Sequence, residues 1–415
     1  MPIVPTAPLA PSADAQAHRT GDASWLAGAL ADARVQTLRQ FDALQAVLPP
    51  GMPVRYAPEL NPPRWELGHV AWFEERWLAR HPQRHQGAAA AAECPLAASL
   101  LPRADAWYDS SRVAHTTRWH LDLPNEQRTR RYAEQVREKT LALLHGLPGA
   151  LRADDDALYF FRWSLAHEDM HAEAGAYMAQ HLALPVAASL RRAGPGRVAT
   201  TGDIACAGGD FVLGHGGPGF VFDNEAGAHT VPLAPFAIDR TPVNWARYLP
   251  FIADGGYDHA AWWTPEGWAW RQRHSSGRPR HLVQEDGIWQ RAAFGEWQPV
   301  LPDEPAMHLS QHEAAAWCRW AGRRLPTEVE WEFAALNAPE MEWGAVWEWT
   351  ASPFVPYPGF QPHPYRDYSM PWFDGRPVLR GASFATAPRL RHPRYRNYFP
   401  ADRNDLFSGF RSCAA

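Results

Sequence analysis

A change of texture near residue 190 constrains this 415-residue chain more than any other feature. Before it, apolar residues recur at helical spacing. After it, Gly, Pro and Trp dominate and regular runs are short. Residues 25–48 place Leu30, Ala33, Thr37, Phe41, Leu44 and Leu48 three or four positions apart, the period of one helix face. Pro62-Pro63 opens a second helix through HVAWFEERWLARH, since proline is accepted in a first turn. Residues 125–147 repeat the spacing at Tyr132, Val136, Thr140 and Leu143. Asp154-Asp155-Asp156 supplies N-terminal acids for a fourth helix over 158–184. Four amphipathic helices with one long crossover, 82–124, predict a four-helix bundle spanning 23–190. RRAGPGR (191–197) reads as a linker. Residues 198–415 are expected to form an irregular α+β domain of short strands and long loops. It has one clear helix at 312–321 and a Thr327-x-x-Glu330 capping box opening another.

Composition narrows the function classes. Hydrophobic residues make up 46% and aromatics 12%, enough apolar surface for packed cores. The net charge is -5, which argues against binding nucleic acid or an anionic membrane. No apolar run approaches the ~20 residues needed to span a bilayer. Residues 1–22 are Pro/Ala-rich with neither a basic nor an apolar leader region, so a disordered tail is expected rather than a signal peptide. Cys94, Cys206, Cys318 and Cys413 are widely spread and form no CxxC pair, which fits a reduced cytoplasmic protein. Lys139 is the only lysine, and the 21 tryptophans suggest aromatic-lined loops.

The sharpest local signal is His167-Glu-Asp-Met-His171-Ala-Glu173, inside the fourth helix. His167 and His171 are i and i+4, so both imidazoles project from one face, as a helix presents two nitrogens to one metal. Two solvated histidines are the competing reading in a chain with 19 of them. His69 strengthens the metal reading. It lies among Trp65, Trp72, Phe73 and Trp77, where an imidazole costs free energy unless bonded or ligated. Facing bundle helices can bring all three together. Three neutral imidazoles suit Zn, Fe, Ni or Cu and leave positions open for chemistry. Glu173 is either a fourth ligand or an acceptor orienting one imidazole.

PPRWELGHVAWFEERW and HEDMHAE resemble the N-terminal DinB-like helical domain of the ergothioneine-type sulfoxide synthases. Further stretches resemble that family's second domain, the formylglycine-generating-enzyme/sulfatase-modifying fold related to C-type lectins. They are IDRTPVNWARYLPFI (238–252), HEAAAWCRWAGRRLPTEVEWEFAA (312–335), VWEWTASPF (346–354), VLRGASFAT (378–386) and YRNYFPADRNDLFSGFR (395–411). The resemblance spans roughly residues 25–411 in matching order. It implies mononuclear non-haem Fe(II) on His69, His167 and His171, and O2-dependent joining of sulfur to C2 of the imidazole of hercynine. It also implies that loop 356–373 of the second domain supplies a tyrosine near iron that assists O2 reduction. Tyr365 is the first candidate, Tyr368 the second and His363 a third, with loop packing the competing role for each. Trp372, Tyr398 and Phe399 are candidate faces for the trimethylammonium of hercynine through cation–π attraction.

The chain departs from the family at the donor site. Members that take γ-glutamylcysteine resemble it but carry Asn-Trp-Asp where this chain has Asn397-Tyr398-Phe399. A zwitterionic donor has an ammonium that wants a carboxylate, and Phe399 supplies none. The family's carboxylate-binding arginines match only Arg112 or Arg118. Arg403 aligns with a family arginine, and Met170 stands where a hydrogen-bonding Gln is usual. The hercynine chemistry looks retained and the donor pocket rebuilt. Two branches fit this pattern, one using cysteine directly and one, the selenoneine synthases, taking a selenosugar and making a C–Se bond. A polyol wants hydroxyl partners and aromatic stacking, so the selenosugar is the favoured donor. Rival readings are a formylglycine-generating enzyme, a zinc-dependent thiol transferase, and a metal-free DinB/lectin-like binding module.

Overall fold

Local signals start each long helix. The computed structural model describes residues 11–192, 194–198, 202–274 and 276–415. Its first half carries α1 (Ala13–Thr20), α2 (Ala23–Val47), α3 (Pro63–Glu74), α4 (Ala104–Tyr108), α5 (Glu126–His145) and α6 (Asp155–His181). Asp22, Asn125 and Asp154 cap α2, α5 and α6, each side chain accepting from the backbone N–H three residues on. Pro63 occupies the first turn of α3, which runs into a π-helical turn, Glu75–Ala79.

Helices α2, α3, α5 and α6 pack on one another around Leu26, Leu30, Phe73, Val136 and Phe160. One residue from each meets in a buried ion cluster. Arg34 of α2 donates to Glu74 of α3 and Glu168 of α6, both at 2.7 Å. Arg137 of α5 donates to the same Glu74 at 2.8 Å and also to Glu168. Two cations facing two carboxylates balance the charge and pin the relative register of all four helices.

The second half opens with β1 (Asp203–Cys206), β2 (Gly209–Leu213), β3 (His229–Leu233) and β4 (Phe236–Asp239). Then come α7 (Trp245–Ala253), α8 (Pro265–Arg273) and a meander of β5 (Leu282–Glu285), β6 (Ile288–Ala293) and β7 (Glu296–Pro299). Next are α9 (Gln311–Trp320), β8 (Arg323–Arg324) and α10 (Glu328–Asn337). Last come β9 (Trp347–Pro353), β10 (Pro377–Arg380), β11 (Asn397–Tyr398), β12 (Ser408–Gly409) and β13 (Cys413–Ala414). Capping boxes start α9, at Ser310 and Glu313, and α10, at Thr327 and Glu330. One sheet runs β1-β4-β13-β8. Another runs β11-β10-β9-β12, with β12 parallel to β9. The four cysteines are free.

The halves share a core. Trp163 of α6 lies 5.1 Å from the Phe222 ring and 4.7 Å from that of Tyr368. Arg389 closes on Asp169 of α6 with bonds of 2.6 and 2.7 Å. The tail expected over 1–22 needs correcting where it is described. Residues 13–20 form α1, because His18 reaches the Arg162 carbonyl at 3.2 Å and Arg19 pairs with Glu225 at 2.7 Å. Those partners are supplied only by tertiary structure. Residues 1–10 lie outside the described set. Among the described residues no helix is long and apolar enough to cross a membrane.

Candidate metal centre

His69 projects from α3 and His167 and His171 from α6, so the cluster depends on how those helices pack. One ligand-capable nitrogen from each lies within 4.8 Å of the others. His69 and His167 are buried and His171 is half-buried. Aromatic plates lock two of the rings. Trp65 stacks on His69 at 4.7 Å, and Phe73 on His167 at 3.7 Å.

Hydrogen bonds orient two of them. His69 Nδ1 donates to the Tyr108 carbonyl at 2.8 Å, which leaves Nε2 as the lone-pair nitrogen. His171 Nδ1 donates to Glu66 at 2.6 Å. Burial, reinforced by the neighbouring His171, pushes His69 down to about 3, and the same causes hold His167 well below the ordinary histidine range. Both are neutral donors at physiological pH. His167 Nδ1 is buried with no hydrogen-bond partner. Neutral imidazoles braced by acceptors, with an orphaned nitrogen among them, are what a divalent transition metal requires.

The imidazole-orienting acceptor is Glu66. Glu173, expected in that role or as a ligand, instead accepts from Trp347 Nε1 and Thr386 Oγ1, each at 2.8 Å, and from Ser383 Oγ. It fastens α6 to the second half because its side chain leaves the helix on the docking face. A signal for Glu66 did exist. It lies three residues before His69, on the same face of α3.

A cavity of about 530 Å³ opens beside His171. Met170, Tyr368, Trp372, Tyr398, Phe399 and Arg403 all line it, so the structure gathers those sequence candidates in one place. Tyr177, Trp347, Tyr395 and Asn397 line it too and were missed. Their signal was weak, since they are scattered aromatic and polar residues in a chain rich in both. Arg403 is already engaged, gripping Asp405 at 2.6 and 2.7 Å beneath the Phe399 ring. Arg376 covers one face of Trp372 at 4.7 Å.

The loop candidates separate. Tyr365 has its ring 6.3 Å from that of His167 and borders a different cavity, of about 220 Å³, with Trp72 and Asp109. Tyr368 lines the His171 cavity together with Tyr395. His363 lies against Tyr159 at 2.9 Å, two turns before His167 on α6. Arg118 stacks over Trp65 at 3.9 Å, close to the histidines, whereas Arg112 is exposed.

A family model, the sulfatase-modifying factor enzyme 1-like domain, matches residues 192–343. Hercynine oxygenase of Mycolicibacterium smegmatis is 34% identical over 93% of this chain and 97% of its own length. Hercynine oxygenase of Mycobacterium tuberculosis has the same identity and the same coverage. The formylglycine-generating enzyme of Streptomyces coelicolor is 34% identical over 35% of this chain and 51% of that protein.

Proposed function

This chain belongs to the hercynine oxygenase family, and on that premise we propose that it joins selenium from a selenosugar to C2 of the hercynine imidazole. The reaction would use O2 and non-haem Fe(II), and the first half would be the DinB-like bundle of that family. His69, His167 and His171 would hold the iron, which when bound supplies one-electron chemistry with O2.

The chain's own residues set the outcome. Glu66 and the Tyr108 carbonyl orient two imidazoles. Burial raises the hydroxyls of Tyr365 and Tyr368 above the ordinary tyrosine range, so both hold their protons at neutral pH. Either can then donate one toward reduced oxygen. The aromatic wall of Trp347, Tyr368, Tyr395 and Tyr398 offers faces to a trimethylammonium.

One observation carries the donor assignment. Among the described residues, Glu173 is the only carboxylate lining the cavity, and three donors already occupy it. An ammonium-bearing donor finds no partner there, while a sugar finds Asn397, tyrosine hydroxyls and aromatic faces. The competing reading is C–S bond formation with cysteine or γ-glutamylcysteine. Arg403 favours it, as a guanidinium able to take a donor carboxylate, but its two-point grip on Asp405 opposes it.

Competition among a selenosugar, cysteine and γ-glutamylcysteine for one pool of hercynine, read by mass spectrometry of the products, tests the assignment. The selenosugar should dominate. γ-Glutamylcysteine should lose roughly two or more orders of magnitude in kcat/KM, the usual penalty for an unpaired buried charge. Dominant incorporation of an amino-acid thiol would overturn the selenium reading.

A further inference from the structure

We propose that Asp223 is a positioning residue that holds the segment bearing Tyr365 and Tyr368 against the metal centre. The inference rests on the proposed role of those tyrosines. Asp223 is 2% exposed and follows Phe222 in the loop between β2 and β3. One carboxylate oxygen accepts from Ser369 Oγ, and the other accepts from the His363 backbone N–H at 3.4 Å. Those two anchors bracket residues 364–368. Both candidate tyrosines therefore ride on a short span tied at each end to a single side chain.

Neighbouring contacts stiffen the tie. Asn224 Nδ2 donates to the same Ser369 Oγ at 3.0 Å. Phe222 packs on Tyr368 at 5.1 Å. The segment carrying Asp223 is itself pinned, because Arg396 donates to the Asn224 carbonyl at 2.6 Å and Arg19 pairs with Glu225. Asp223 lines neither cavity beside the tyrosines. Its influence on the reaction must pass through the loop. Burial raises this carboxyl, and the Ser369 hydroxyl and the His363 and Asn224 amides offset part of that cost by hydrogen bonding it in place.

The test uses the full iron-loaded chain and compares wild type, Asp223→Ala, Ser369→Ala and the double variant. Amide hydrogen exchange over 363–369 is read alongside iron content, KM for hercynine and product formed per O2 consumed. Exchange should accelerate at least about tenfold in each single variant, the factor implied by losing a buried hydrogen bond. Iron content and KM should stay level while product per O2 falls. The double variant should be no worse than Asp223→Ala, because both act through one tether. Unchanged exchange in folded Asp223→Ala, or a fully additive double variant, would overturn the proposal. Faster exchange with unchanged product per O2 would leave the tether standing and count against the tyrosines' role. If Asp223→Ala does not fold, the milder Ser369→Ala decides alone.

Discussion

Glu66 is the residue whose removal separates binding from folding most cleanly. It accepts one bond from His171 and, through its other oxygen, one from Asn61 at 2.6 Å. Glu66→Gln keeps the shape and loses the charge that makes His171 a better ligand. Metal affinity should fall about 10–100-fold, measured by competition with a chelator, with the helical CD signal unchanged. Asp223 gives a pH signature. Burial raises its carboxyl from 3.8 to about 6, although Ser369 and the His363 amide hold it down. Between those values the folded chain keeps a proton that the unfolded chain has lost. Stability from this group is therefore full below about pH 4 and falls as pH rises toward 6. About 2 pH units at about 1.4 kcal/mol each make the effect about 3 kcal/mol. The melting temperature of wild type relative to Asp223→Asn should drop across that window. At this scale the sequence was legible where neighbours on one helix make the site, as with His167 and His171. It was opaque for Asp223, whose partners lie about 140 positions away in a loop.

Among elements, the ion cluster joining α2, α3, α5 and α6 explains why these helices hold one register. Arg34→Ala leaves two buried carboxylates with a single cation. It should cost about 3–5 kcal/mol in a denaturant titration, far more than a surface pair. A loss below about 1 kcal/mol would mean that packing alone sets the register. The helices themselves were readable, since caps and apolar periods act within a few residues. The cluster was not, because Arg34 and Glu168 are 134 positions apart and each looks like an ordinary exposed charge. The short strands of the second half were likewise hard to place. β8, β11, β12 and β13 have two residues each, too short for any period to show.

The whole molecule is held by a seam with a mixed apolar and ionic character. Trp163, Glu173 and Asp169 on α6 all find partners in the second half. Calorimetry should therefore show one cooperative transition for both halves, and two resolved transitions would contradict the shared core. Arg389→Ala removes the partner of buried Asp169, leaves exposed Asp32 to Arg191 alone, and should lower that single transition. Metal content should stay intact, because all three candidate ligands sit on α3 and α6.

That division of labour bears on descent. The imidazoles belong to one half of the chain, while the aromatic wall and the tethered tyrosines belong mostly to the other. Substitutions in the loops after β9 and β11 can change which nucleophile is welcomed without touching how the metal is gripped. A lineage could thus exchange one chalcogen donor for another by drift in the second half, each step keeping a loaded and folded protein for selection to act on.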